Sequence, residues 1–363
     1  MRGRFRRPPS PARFREARFR ASRHLVRILF IHQPVGPYPG TRHREKQTCR
    51  HARSQLSPSG EIRSSSVRTP RQDQYRALCV TGKHIVSLVE LGYQVVVTYG
   101  NGPQVGFLLW RSEVAHATSG LHGLPLVTCV ADTQGGIGYQ IQQTLKNEFL
   151  RRGLCEDSIA VLTQVVVDKD DPGFRNPTKP VGEFYPPERA EVLRRENPSW
   201  VLREDAGRGF RRYVPSPRPL EIVEEAGLKT LLASGLHLIA GGGGGIPVFR
   251  TEGGYEGVDA VVDKDLTSCL LAKRIKSDLF VISTAVSNVA IHFGTPEQEN
   301  ISRMTVAEAM ACVEAGYFAP GSMLPKVLAA VDFVRATGKE AIITSPENVR
   351  AAVVEGKGTH IVP

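Results

Sequence analysis

From about Tyr75 onward, short runs of wholly apolar residues alternate with longer amphipathic ones, and that alternation leaves few folds open. Ile85, Leu88 and Val89 form a stripe at helical spacing that stops at Gly92, and residues 94–98 (QVVVT) follow as a strand-length apolar run. The pattern then repeats. Residues 136–150 are helix-like, with Ile137, Ile141, Leu145 and Phe149 each four apart, and residues 159–167 are strand-like. Residues 220–233 are helix-like, 236–240 and 258–262 strand-like, 266–275 helix-like, 279–283 strand-like, 306–315 and 327–336 helix-like, and 341–344 strand-like. A strand that is apolar on both faces must be covered on both, and crossover helices between parallel strands do this. The predicted fold is α/β: a three-layer sandwich around an open, mainly parallel sheet.

One stretch breaks the rhythm. Residues 170–219 are rich in proline and arginine, with a strand-like piece at 211–214 and a charged helix-like piece at 187–196. An excursion this long inside a compact domain is usually functional or disordered; its acidic and basic side chains alternate too evenly for disorder, and it reads as a small protruding subdomain or lid. Residues 1–74 differ again, being rich in Arg, Ser and Pro and lacking either helical or strand periodicity. The expected organisation is a non-globular or aberrant segment over 1–74 and a folded domain over 75–363. The segment has three sequence accounts: a targeting peptide, a nucleic-acid-binding tail, or a stretch outside the native reading frame.

Charge follows the same boundary. The formal net charge is +11, yet residues 1–78 hold 19 of the 47 Lys+Arg and 4 of the 36 Asp+Glu, so residues 79–363 carry −4. The folded domain is therefore not expected to bind nucleic acid. No apolar run approaches the ~18 residues of a membrane span; residues 25–31 are short and include Arg27. The six cysteines form no C-x-x-C pair, which suits a reducing compartment, and no His/Cys spacing suggests a metal site. These features point to the cytoplasm, with organellar targeting by the N-terminal segment as the second account.

In α/β sheets ligands bind beyond the carboxyl ends of strands. After residues 95–98 comes Gly100-Asn101-Gly102-Pro103-Gln104-Val105-Gly106, and after 236–240 comes the run Gly241 to Gly245. Glycines there bring bare backbone N–H groups up to an anion. Neither loop is followed by the Lys-Ser/Thr of a Walker motif, and neither matches the dinucleotide fingerprint. Lys169, Lys264 and Lys326 stand at comparable strand or loop ends, flanked by acids. Glycine loops with convergent lysines suit phosphoryl transfer, which depends on positive charge and in-line positioning.

Together, GNGPQVG from Gly100, QVVVDKDDPGFRNPTKPVG from Gln164, EDAGRGFRRYVPSPRP from Glu204, GGGGIPV from Gly242, AVVDKDLTS from Ala260, FAPGSMLPKV from Phe318 and GTHIV from Gly358 resemble carbamate kinase, of the amino-acid kinase superfamily. The resemblance runs from about Ala77 to Val362. It implies a homodimeric enzyme that interconverts ATP plus carbamate with ADP plus carbamoyl phosphate, with Mg2+ accompanying the nucleotide and with a place in arginine metabolism. By the same resemblance, Lys169 approaches carbamoyl phosphate and Lys264 stabilises the transferring phosphoryl group. Asp265 organises the lysines, and Met323 and Lys326 join Lys264 and Asp265 at the nucleotide. Gly100, Asn101 and Gly102, with Gly242, Gly243 and Gly244, line the substrate pocket.

Two departures stand out. The family's HGNGPQ motif has Tyr99 in place of its histidine, and the family's opening strand and GGNAL loop have no match. Residues 25–31 resemble a strand, but His32-Gln33-Pro34-Val35-Gly36 carries no paired glycines. The expectation is a gap at the centre of the sheet and a weakened clamp on the phosphoryl group, where one lost donor costs on the order of 100-fold in rate. The alternative from a different class is a catalytically dead homologue that binds nucleotide or regulates.

Overall fold

The computed structural model describes residues 26–31, 70–205 and 207–363. In chain order the elements are β1 (Val26–Ile31), α1 (Pro70–Glu90), β2 (Gln94–Tyr99), α2 (Gly102–Ser119), α3 (Leu126–Arg151), β3 (Ser158–Ala160), β4 (Gln164–Val167), α4 (Pro172–Arg175), β5 (Lys179–Tyr185), α5 (Pro187–Glu196), β6 (Val201–Glu204), β7 (Phe210–Val214), β8 (Pro219–Ile222) and α6 (Glu225–Ala233). Then follow β9 (His237–Ile239), β10 (Ile246–Thr251), β11 (Gly254–Gly257), α7 (Lys264–Arg274), β12 (Leu279–Ser283), β13 (Val289–Ile291), β14 (Glu299–Ile301), β15 (Arg303–Thr305), α8 (Val306–Glu314), α9 (Met323–Thr337), β16 (Ala341–Thr344), α10 (Val349–Glu355) and β17 (Thr359–Val362).

Eight strands form the main sheet in the order β15-β17-β16-β12-β1-β2-β9-β3. Every pairing in it is parallel except β16 with β17. Successive side chains of a strand point to opposite faces, so one apolar run serves two cores. Val96, Phe280, Ile282 and Ile343 pack with α6, α7 and α9 on one side. Val95, Val97, Val281 and Ile342 pack with α1, α3 and α10 on the other. This is the three-layer α/β arrangement expected from the sequence.

The expected gap at the sheet centre is absent. Backbone pairing runs from Val26 opposite Gln94 to Ile31 opposite Tyr99 on one side, and Arg27 to Phe30 lie opposite Leu279 to Ile282 on the other. Six residues of the N-terminal stretch thus form a central strand, and α1 opens at Pro70. The remainder of residues 1–69, including the glycine-poor stretch His32 to Gly36, lies outside the described residues.

Three further expectations are corrected. Residues 159–167 are two strands in different sheets: the chain turns at buried Thr163, leaving β9's side for a second sheet ordered β11-β10-β4-β8. Residues 220–222 are strand β8, paired antiparallel to β4, and the helix starts only at Glu225. Residues 258–262 form no ladder; they are held instead by single bonds such as Val261 N–H to Pro215 O, 3.0 Å. Apolar runs in an α/β chain tell burial but not which sheet receives them.

The excursion carries its own antiparallel sheet, β5-β7-β6, with α5 packed on it through Tyr185, Ala190, Leu193 and Leu202. It is docked on the main body by a second apolar cluster joining Val105 and Leu109 of α2 and Val130 of α3 to Val181 and Val214.

Candidate active site

The carboxyl ends of β1, β2, β9 and β12 lie along one edge, where α2 and α7 begin. β2 ends at Tyr99, and Gly100 follows directly beneath Lys264: a Cβ added at Gly100 would stand 2.9 Å from Lys264 Cδ and 3.1 Å from its Nζ. Asn101, 4% exposed, donates from Nδ2 to Thr133 Oγ1 at 2.9 Å and lies against Gly243. Gly102 opens α2, with open space where a side chain would be.

The run Gly241 to Gly245 folds into a tight turn, with Gly241, Gly243, Gly244 and Gly245 all at positive φ. A Cβ on Gly244 would collide with Val262 O, and one on Gly242 with the Tyr99 ring. Neighbours pin the loop from three sides. Gln134 of α3 donates to Gly242 O (2.9 Å) and Thr163 O (3.0 Å), the Thr163 hydroxyl accepts from Gly241 N (2.9 Å), and Thr267 donates to Gly244 O (2.7 Å). Tyr99 donates its hydroxyl to Gln134 O at 2.7 Å, and burial pushes that phenol well above its ordinary range. The tyrosine that departs from the family motif therefore ties β2 to α3 and roofs the glycine loop.

At the start of α7 lies the triplet Asp263-Lys264-Asp265. Asp263 caps the helix, accepting from Asp265 N at 2.8 Å, and also accepts from Lys179 Nζ at 2.8 Å. Asp265 accepts from Lys326 Nζ at 3.1 and 3.3 Å, with both side chains at most 5% exposed. Each acid thus holds a lysine from a distant element, with Lys264 between them. Burial pulls Lys264 down to about 8, helped by Lys326 and opposed by Asp265 and Asp263. Burial raises the Asp265 carboxyl against the pull of Lys326. For Asp263 burial acts upward too, but Lys179 and the Asp265 amide outweigh it and hold the carboxyl below its usual range.

The structure thus gathers Lys264, Asp265, Lys326 and both glycine loops, with Met323 opening α9 one turn before Lys326. It leaves Lys169 exposed on the turn after β4. The sequence reading missed Lys179, whose signal was a lysine between two prolines, Pro177 and Pro180, at the neck of the excursion. It also missed Asp263 and the buried polar props Gln134, Thr163 and Thr267. Convergent lysines ordered by carboxylates beside two helix N-termini bind and stabilise a transferring phosphoryl group.

Comparison with known proteins agrees with this geometry. The profile of the Amino acid kinase family matches residues 64–345. The carbamate kinase-like protein YahI of Escherichia coli is 48% identical over 80% of this chain and 92% of its own length. Carbamate kinase of Pyrococcus furiosus is 44% identical over 78% of this chain and 90% of its own. Among solved structures, carbamate kinase from Giardia lamblia bound to AMP-PNP is 37% identical, with a TM-score of 0.78 over 93% of this chain and 98% of that one. The chain belongs to the amino acid kinase family, on its carbamate kinase branch.

Proposed function

We propose that this chain is an ATP:carbamate phosphotransferase, moving a phosphoryl group between ATP and carbamate to give ADP and carbamoyl phosphate. The observation that carries the reading is Lys264 lying over Gly100 while Asp265, its neighbour, holds buried Lys326. In the forward direction a carbamate oxygen attacks the γ-phosphorus as the bond to the β,γ-bridging oxygen breaks. The Lys264 ammonium and the backbone N–H groups of the two glycine loops face the charge spread over the equatorial oxygens. Lys326 neutralises nucleotide phosphates, Asp265 fixes both lysines, and Lys179 brings positive charge from the subdomain.

Magnesium fits this site as an ion that arrives on the nucleotide. Asp263 and Asp265 are engaged by lysines, and among the described residues no three His, Cys, Asp or Glu side chains gather as a cage. Bound in that way it supplies charge neutralisation at the phosphates.

The dead-homologue alternative finds no support, since both lysines and their acid are in place. The reading extends to a homodimer, supported by β3 at one edge of the main sheet with Ile159, Leu162 and nearby Tyr139 exposed. It also extends to a reducing cytoplasm, supported by six cysteines with no C-x-x-C pair among them, and to arginine metabolism. The test is purified protein supplied with ADP, carbamoyl phosphate and Mg2+, with ATP read by a coupled assay. ATP formation is expected; its absence in a chain that still binds ADP overturns the reading.

A further inference from the structure

Helix α2 and strand β5 lie against each other with no side chain between them at one point: a Cβ on Gly106 would stand 2.9 Å from Gly182 N. Seven residues further along α2, on the same face of the helix, Glu113 Oε2 accepts from the Tyr185 hydroxyl at 3.1 Å. Its other oxygen, Oε1, is buried and has no hydrogen-bond partner among the described residues. Around it stand Tyr185 and Glu183 from β5, Arg212 from β7, Arg189 from α5 and Cys129 from α3. Arg212, which also feels Asp259, is stacked 4.1 Å above the Trp200 ring. Burial lifts the Glu113 carboxyl above its usual range, against the pull of Tyr185, Arg212 and Arg189.

A half-buried carboxylate with one oxygen sealed from solvent is a costly way to join a helix to a strand when apolar packing is already present. The cluster of Val105, Leu109, Val181 and Val214 supplies that packing, so the charge has another use. The same two elements carry functional groups at their opposite ends. α2 begins at Gly102 in the loop beneath Lys264, and β5 begins at Lys179, which meets Asp263. The two elements thus meet at Gly106 with Gly182 and at Glu113 with Tyr185, and each begins at the site.

We propose that Glu113 is a positioning residue for the phosphorylated substrate: by holding Tyr185 and Arg212 of the subdomain against α2, it sets where Lys179 stands over the transferring group. This rests on the phosphotransferase reading above. It concerns carbamoyl phosphate and not the nucleotide, because the nucleotide side of the site, at Met323 and Lys326, belongs to α9, whereas this cluster is built from α2, α3, α5, β5 and β7.

The test is calorimetric binding of carbamoyl phosphate and, separately, of ADP to the full chain and to Glu113→Ala, Glu113→Gln and Tyr185→Phe. Glu113→Ala is expected to weaken carbamoyl phosphate about 10-fold, one lost charge-assisted contact, with ADP within twofold. Glu113→Gln, which still accepts from Tyr185, is expected to recover part of the loss. Where the alanine variant fails to fold, the glutamine and phenylalanine variants carry the comparison. In the native chain carbamoyl phosphate affinity falls as Glu113 takes up its proton above the ordinary carboxylate range, and Glu113→Gln loses that component. Equal weakening of both ligands, or no change in either, overturns the proposal, as does an unchanged pH profile in Glu113→Gln. A native chain that binds no carbamoyl phosphate overturns the functional reading instead.

Discussion

Lys326 Nζ lies 3.1 Å from Asp265 Oδ2, and both side chains are almost wholly buried although 61 residues separate them in sequence. Removing one partner strands a charge in the interior, which costs about 3–5 kcal/mol. Lys326→Met and Asp265→Asn are each expected to lose stability of that order or slightly less in urea denaturation, together with turnover. Lys326→Met combined with Asp265→Leu is expected to regain much of the stability and none of the turnover. A double variant no more stable than the singles would show that the pair is not the source of the loss.

Activity is expected to fall as pH rises through about 8, where Lys264 loses its proton. Its folded pKa lies below the ordinary 10.5, so between these values the unfolded chain binds more protons and the contribution of Lys264 to stability rises with pH. Below about 8 the buried ammonium costs stability. Rate and stability should therefore move in opposite directions over this window. Lys264→Arg, which stays charged, should remove the alkaline fall in kcat/KM, and Lys264→Ala should abolish transfer while sparing the fold. Near-normal transfer in Lys264→Ala removes the residue from the chemistry.

Lys169 and Lys179 are rival candidates for the lysine that meets the carbamate end. The resemblance favours Lys169, whereas geometry favours Lys179, which is ion-paired to Asp263 while Lys169 stands exposed. Steady-state kinetics of the two alanine variants decide between them. Lys179→Ala is expected to cost on the order of 100-fold in kcat/KM, as for loss of one preorganised donor, and Lys169→Ala less than about threefold.

Gly244 sits at φ +95° with Val262 O where a side chain would go. Gly244→Ala is expected to lose about 2 kcal/mol or more from strain and collision. Gly102→Ala, facing open space, should melt close to the native chain. Thermal unfolding of both variants checks the pair.

Ile31 is followed by His32-Gln33-Pro34-Val35-Gly36, without paired glycines. Replacing that stretch by a Gly-Gly-Asn segment is expected to raise turnover, by up to about 100-fold for each donor restored. Equal turnover in the two chains would show that the clamp is complete without it.

Strands β2, β9, β12 and β16 of the main sheet were legible because their burial leaves a plain mark: residues 341–344 (AIIT) are apolar up to Thr344, and they are β16 end to end. The two glycine loops were legible for the complementary reason, since bare backbone in sequence is bare backbone in space. What stayed hidden depends on partners far along the chain. Thr163 ends one strand and starts another through bonds to Gly241 and Gln134, and nothing local in residues 159–167 announces that corner. Lys179 likewise looks like an ordinary charged residue until Asp263, 84 positions later, is placed against it.

The central strand also bears on how this protein comes to be folded. Arg27 lies opposite Leu279, 252 residues further along the chain. Its neighbour β2 is made early, but the centre of the sheet stays unfinished until β12 is made, far along the chain. Pairings this distant slow folding and lengthen the time that strand edges stay open to other chains. For this molecule the passage from synthesis to the folded state includes one pairing that spans most of the folded domain.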